Sequence, residues 1–251
     1  MNIDGNVALV TGGLSGLGMA VTRRLLAGGA RVVAMSRSSE RAEKALAELG
    51  QDVRFVPGDV TEPDDVAEAV AAAREQGPLG IVVNCAGTVQ VGRVLGRGGP
   101  LPLPEFERVV RVNLVGTFNV VRLAAEAMAV NEPQAGDRGV IVCTSSIAAY
   151  DGQAGQVAYA ASKAGVVGMT LPLARDLARH AIRVVTVAPG IFITPMAADL
   201  PPGALGPLIE RTPHPNRSGD PAEFAALVAH VVENPMLNGE VIRLDGALRL
   251  A

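Results

Sequence analysis

Residues 7–18 read VALVTGGLSGLG: a short apolar run breaks into four glycines and resumes as the start of a helix-period segment. The spacing predicts a strand over Val7–Thr11 and a helix near 16–27. Gly12, Gly16 and Gly18 make TGxxxGxG, with a wider first gap than GxGxxG. Glycine permits the tight turn and close approach of backbone to a phosphate, and the helix start offers free N–H groups and a positive dipole end. The loop, with Ser15 and Leu17 inside it, therefore predicts a pyrophosphate site and a dinucleotide ligand.

Working outward, apolar runs alternate with helical patterns almost to the end of the chain. Strands are expected at Val7–Thr11, Arg31–Ser36, Val53–Pro57, Ile81–Asn84, Val140–Thr144, Arg183–Ala188 and Glu240–Leu244, and helices near 16–27, 39–49, 63–75, 104–130, 156–180 and 221–233. Short, continuous strands rich in Val and Ile suit a parallel sheet covered on both faces. The fold class expected is α/β: a single-domain Rossmann fold over 1–251, with a doubly wound, mostly parallel seven-stranded sheet and helices on both faces. Two connections, 87–104 and 189–221, are long and rich in Gly and Pro. Loops of that kind usually serve as binding loops or lids, and the second is expected to be a substrate lid at about 189–220.

Composition narrows the function. The chain has 251 residues, 49% hydrophobic and 19% charged, which argues against disorder. Its 22 basic and 25 acidic residues are spread without long like-charge blocks, so no nucleic-acid footprint is expected. The longest apolar runs look strand-length and the amino terminus is polar, so neither a signal peptide nor a membrane span is expected. Cys85 and Cys143 each end an apolar strand-like run. That placement suggests packing roles in a reducing, cytoplasmic setting rather than a disulfide.

The chemistry centres on YAASK, residues 159–163. Positions i and i+4 of a helix share a face, so the phenol of Tyr159 and the ammonium of Lys163 project together. A phenol has a pKa near about 10, too high for a base near neutrality, and a neighbouring ammonium is expected to bring it down. Ser146, at the end of the fifth long strand, is placed to donate to a substrate oxygen as negative charge develops there. Its neighbour Ser145 is the less favoured hydroxyl.

These segments together resemble the short-chain dehydrogenase/reductase family. TGGLSGLG matches its TGxxxGxG, NCAG (84–87) its NAG stretch, VNL (112–114) carries its helix asparagine, YAASK its YxxxK with Ser146 thirteen residues earlier, and APGIFITPM (188–196) its PG…T segment. NLVGTFNVVRLAAEAM, GQVAYAASKAGVVGMTLPLARDLA and DPAEFAALVAHVVENPMLNGEVIRLDGALR are similar to the family's type II 3-hydroxyacyl-CoA dehydrogenases, which also act on hydroxysteroids. The resemblance implies a proton relay in which Asn113 holds a water linking Lys163 to solvent. It also implies cofactor contacts at Asp59, Val60, Asn84, Ala86, Gly87, Pro189, Gly190, Ile191 and Thr194, ribose contacts for Tyr159 and Lys163, and a homotetramer associating through helices near 104–130 and 156–180 and the carboxy-terminal elements.

The reaction expected is interconversion of a 3-hydroxyacyl and a 3-oxoacyl thioester, or of a similar secondary alcohol and ketone. The alternatives are a 3-oxoacyl carrier-protein reductase and, from another class, a dinucleotide-sensing regulator without turnover. After the second strand an NAD-selective protein places an acidic side chain; here Ser36 and Arg37 stand instead. Arginine suits a 2′-phosphate, with Ser36 or Ser38 adding hydrogen bonds, so NADP(H) is expected, with NAD(H) as alternative if Arg37 stacks on adenine or points to solvent. His180, His214 and His230 lack metal-ligand spacing, and no metal is expected. Tyr150 either lines the substrate site or packs in the core. Arg93 and Arg97 read as solvated loop residues, with coenzyme A phosphates as the other possibility.

Overall fold

The strands of the sheet lie in the interior: Val7–Thr11 and Leu79–Asn84 are buried at every position, as residues covered on both faces must be. The computed structural model describes residues 1–37, 39–50, 52–195 and 205–250. Its strands are β1 (Val7–Thr11), β2 (Arg31–Ser36), β3 (Val53–Pro57), β4 (Leu79–Asn84), a hairpin of β5 (Leu95–Gly96) and β6 (Gly99–Pro100), then β7 (Gly139–Thr144), β8 (Ile182–Pro189) and β9 (Val241–Leu244). Seven of them form one sheet in the order β3-β2-β1-β4-β7-β8-β9, parallel at every pairing. The winding reverses beside β1, so a crevice is expected at the carboxyl ends of β1 and β4.

The helices are α1 (Gly16–Ala27), α2 (Ser39–Leu49), α3 (Pro63–Gln76), α4 (Leu103–Val110), α5 (Thr117–Met128), α6 (Val157–Ala178), α7 (Leu205–Glu210) and α8 (Pro221–Glu233). Alternation along the strands divides the core in two. Val10, Ala34, Val83 and Val187 pack with Val21 of α1 and Phe224 of α8. Leu9, Val33, Val82 and Ile141 pack with Val66 of α3, Val120 of α5 and Val166 of α6. Each of the Val, Leu, Ile and Phe side chains among them, fully buried, contributes about 1.5–3 kcal/mol.

Two features depart from the sequence expectations. The helix expected over 104–130 is interrupted by a π-helical turn, Arg111–Gly116, between α4 and α5. Such a turn widens the helix by one residue and is common at functional sites; here it carries Asn113, which is fully buried. The loop 87–104 contains the β5–β6 hairpin, where no strand was expected. Among the described residues, α6 is long and apolar enough by composition to cross a membrane. It packs along β8 and α4, with Lys163 buried. Arg183, near the start of β8, is also buried and joins distant parts of the chain: it donates to Asp137 at 2.9 Å and to the carbonyls of Val231, Val232, Asn234 and Leu237 where α8 ends.

Candidate active site

The glycine loop has the geometry a phosphate needs. Gly12 and Gly16 adopt φ of 65° and 50°, and a Cβ on Gly18 would lie 2.2 Å from the Gly12 carbonyl oxygen. Ser15 precedes α1 without capping it through its side chain, so that hydroxyl does not compete for the first-turn N–H groups. The neighbouring NCAG segment is held against the loop: Cys85 N–H donates to the Thr11 carbonyl at 3.1 Å and Ala86 N–H to Thr11 Oγ1 at 3.2 Å. Thr194 lies over Gly16, 3.2 Å from where a Cβ would be. Gly190 donates its N–H to the Leu244 carbonyl at 2.9 Å, beside Pro189 and Ile191.

At the carboxyl end of β7, two serines diverge. Ser145 is buried and donates to the Lys163 carbonyl at 2.8 Å, which turns it inward. Ser146 caps a short 3-10 turn, Ile147–Ala149, by accepting from Ala148 N–H at 3.1 Å, and its hydroxyl lies against the Tyr159 phenol. Lys163 Nζ donates to the Thr144 carbonyl at 2.8 Å and lies 5.8 Å from the centre of the Tyr159 ring. Asn113 is tied in on both sides of its amide: Oδ1 accepts from Thr88 N–H at 2.8 Å, and Nδ2 donates to the Thr88 carbonyl at 2.9 Å and to Ser162 Oγ at 3.0 Å. Ser162 in turn donates to the Tyr159 carbonyl at 2.7 Å. The four expected catalytic side chains thus share one region, and Thr88, Thr144 and Ser162, which sequence reading did not single out, join them. Only Ser162 left a sequence signal, its position inside YAASK.

The electrostatics correct one expectation. Burial pushes the Tyr159 phenol above 10, with the Ser146 hydroxyl opposing; the lowering expected from Lys163 does not prevail in the chain by itself. Lys163 is buried too, and desolvation brings it from 10.5 down to about 8, against the raising influence of Cys85 and Cys143. A charge that is itself costly to hold is a weak stabiliser of a phenolate. The two thiols are free and are pushed up by burial to about 11 at Cys85 and about 12 at Cys143.

The remaining expected contacts sit at the rim or beneath it. Ser36 ends β2, and the exposed Arg37 guanidinium lies 3.9 Å from the Asp59 carboxylate. Val60 is buried against Gly116, and Asn84 is buried with its amide 3.8 Å from Cys143 Sγ. Ser38 lies outside the described residues. Tyr150 is half exposed and carries Arg243 over its ring at 5.1 Å, so it is not a core side chain. Arg93 and Arg97 are exposed. Among the described residues no cluster of three or more His, Cys, Asp or Glu is placed to hold a metal.

The family model described as short chain dehydrogenase matches residues 6–204. The chain belongs to the short-chain dehydrogenase family. It is 50% identical over 253 residues to 3-hydroxyacyl-CoA dehydrogenase type-2 of Homo sapiens, covering 99% of this chain and 97% of that one. It is 51% identical over 252 residues to the protein of the same name from Drosophila melanogaster, covering 99% of both. A crystal structure of 3-hydroxyacyl-CoA dehydrogenase type-2 from Mycobacterium avium superposes with a TM-score of 0.94 at 43% identity, over 98% of this chain and 97% of that one. This short-chain dehydrogenase is therefore an oxidoreductase that uses a nicotinamide dinucleotide, and its residues fit one. The glycine cradle would take the pyrophosphate, and Gly87, where a Cβ would crowd Asn113 Oδ1 at 3.2 Å and stand 3.6 Å from Lys163 Nζ, sets bare backbone beside an ammonium that would suit ribose hydroxyls.

Proposed function

We propose that the enzyme interconverts 3-hydroxyacyl-CoA and 3-oxoacyl-CoA thioesters. The observation that carries this reading is the convergence of Ser146, Tyr159 and Lys163 beside the bare backbone of Gly87, in a chain half identical to proteins named for that reaction. A bound dinucleotide would supply or accept the hydride. Tyr159 gives its hydroxyl proton to the substrate oxygen during reduction and takes it back during oxidation. Ser146 donates a hydrogen bond to the same oxygen, which favours the charge that grows there. Lys163 would hold the ribose hydroxyls and support the tyrosinate, and Asn113 would hold a water that links Lys163 to solvent. A panel of acetoacetyl-CoA, a longer 3-oxoacyl-CoA, an acyl carrier-protein thioester and a steroid ketone, followed by loss of reduced-nicotinamide absorbance, tests the reading. Higher kcat/KM for the carrier-protein thioester than for either CoA ester would overturn it.

The cofactor in this reading is NADP(H). No acidic side chain ends β2, and Arg37 stands exposed at that edge, 3.9 Å from the Asp59 carboxylate. So long and loose a pair in solvent is worth little, which leaves the guanidinium available to a 2′-phosphate. The segment 189–220 serves as the lid over the substrate, although its residues 196–204 lie outside the described residues. The assembly is a homotetramer: Val115 and Phe118 near the π turn and Val157 and Leu171 on α6 are exposed apolar side chains on the helices expected to associate, and sedimentation at monomer mass would refute it. The free, unpaired state of Cys85 and Cys143 supports a cytoplasmic setting, which imaging of the tagged protein tests.

A further inference from the structure

Between Ser146 and Tyr159 the chain makes a turn whose far side is fastened to the carboxy-terminal segment by one side chain. Arg243, near the end of β9, sends Nη2 to Asp151 Oδ2 at 2.5 Å and to the Leu248 carbonyl at 3.0 Å, and Nε to Asp245 Oδ2 at 2.7 Å. Its guanidinium also stacks on Tyr150, 5.1 Å from the ring centre. The side chains of Arg243, Asp151 and Asp245 are only 21%, 17% and 6% exposed, so this is a fixed junction rather than a pair of surface charges. The guanidinium holds the Asp151 carboxyl below its usual range.

What the junction joins matters for the reaction. Tyr150 and Asp151 both donate their N–H groups to the Ile147 carbonyl, at 3.0 and 2.9 Å, so they close the 3-10 turn that Ser146 caps. On the other side, the backbone of Asp245 lies against Gly190: a Cβ there would be 2.9 Å from the Asp245 Cα. Gly190 leads from β8 into the segment that closes over the glycine loop at Thr194. Arg243 therefore spans the two walls of the crevice, one carrying the oxygen-binding hydroxyl and the other facing the nicotinamide end.

We propose that Arg243 is a positioning residue for the reaction, holding the Ser146 turn at a fixed distance from the Gly190 wall through its shared grip on Asp151 and Asp245. It touches neither substrate nor cofactor. Its loss lets the turn drift, and a displacement near 1 Å at a reacting centre costs up to about a hundredfold in rate. The inference rests on the reading of this crevice as the carbonyl-reducing site.

The test compares wild type, Arg243→Met, Arg243→Lys, Asp151→Asn and the double variant Arg243→Met/Asp151→Asn. Measured are kcat and KM on a carbonyl substrate that the wild type turns over, dinucleotide affinity by fluorescence titration, and Tm. Arg243→Met is expected to lower kcat about tenfold to a hundredfold while dinucleotide affinity stays within about twofold. Asp151→Asn should lower kcat in the same direction, and the double variant should lose no more than Arg243→Met alone, because the two residues act as one unit. Arg243→Lys, which keeps the charge but not the fork, should fall between and remains informative if the methionine variant does not fold. Wild-type kcat in both Asp151→Asn and Arg243→Lys, or losses of kcat that merely follow losses of dinucleotide affinity and Tm, would overturn the proposal. A wild type inert on every carbonyl compound overturns the reading of the site and this inference with it; an active wild type with fully active variants overturns this inference alone.

Discussion

Replacing Lys163 with methionine should change how stability depends on pH, in the protein free of dinucleotide. Lys163 is 5% exposed, and burial brings its pKa from 10.5 down to about 8. The folded state therefore favours neutral lysine, while the unfolded chain keeps its proton up to 10.5. Between those values the unfolded state binds more protons, so the wild type gains stability as pH rises from 8 to 10.5. The whole shift corresponds to roughly 3 kcal/mol, of which roughly 2.5 kcal/mol falls between pH 7 and 10. Methionine fills similar space without a charge and removes this dependence. It also strips the Thr144 carbonyl of its donor, a cost of about 1–3 kcal/mol for a buried acceptor, but that cost does not vary with pH. The two terms nearly cancel at pH 7, and the variant falls behind the wild type as pH rises. The thiols, raised from 9.0 to about 11 and about 12, cost stability as pH rises past 9 because the unfolded chain loses their protons first, but both proteins carry them and they cancel in the difference. Urea unfolding of both proteins at pH 7, 8, 9 and 10 and at one protein concentration measures the difference. A wild-type minus variant difference that stays flat to within about 0.5 kcal/mol, against the roughly 2.5 worked out here, refutes the argument that the lysine is held against its own desolvation.

Tyr159→Phe keeps the ring and removes the proton donor; turnover should fall by at least about a hundredfold, the lower end for a general acid or base, with dinucleotide affinity near wild type, and activity within tenfold would count against the assignment. Arg37→Ala should lower kcat/KM with NADPH about tenfold or more and leave NADH little changed, since a charge-assisted phosphate contact is lost; a wild-type preference for NADH refutes it. Arg183→Met leaves Asp137 without its guanidinium and the end of α8 without four carbonyl contacts. Breaking a buried pair costs about 3–5 kcal/mol, so Tm should drop by roughly 10 °C, and a drop under about 3 °C would show that the site relaxes. Limited proteolysis within 189–215 should slow when dinucleotide and substrate are both present, and equal cleavage rates would remove the lid.

The fold was legible because its signals are local. A strand covered on both faces must be apolar throughout, and a glycine that must take φ of 65°, as Gly12 does, has few substitutes; those constraints placed every long strand to within two residues. The helix face shared by Tyr159 and Lys163 was equally local. The π turn was not, because RVNLVG reads as ordinary helix and the widening is settled by what Asn113 meets across space, the backbone of Thr88 and the hydroxyl of Ser162.

Depth was the other thing spacing alone did not show. Four residues of separation say that an ammonium and a phenol are neighbours, and in water that neighbour would favour the phenolate. Inside the protein both groups have lost their hydration, and the sign follows the larger effect: the phenol is pushed up and the ammonium is pushed down. The pair therefore needs a further partner before Tyr159 can act as a base near neutrality. The hydroxyl of Ser146 already opposes the rise without reversing it, and its position rests on a turn tied through Asp151 to Arg243, 92 residues along the chain. A contact of that separation leaves no periodicity to read, yet it sets the distance on which the proton transfer depends.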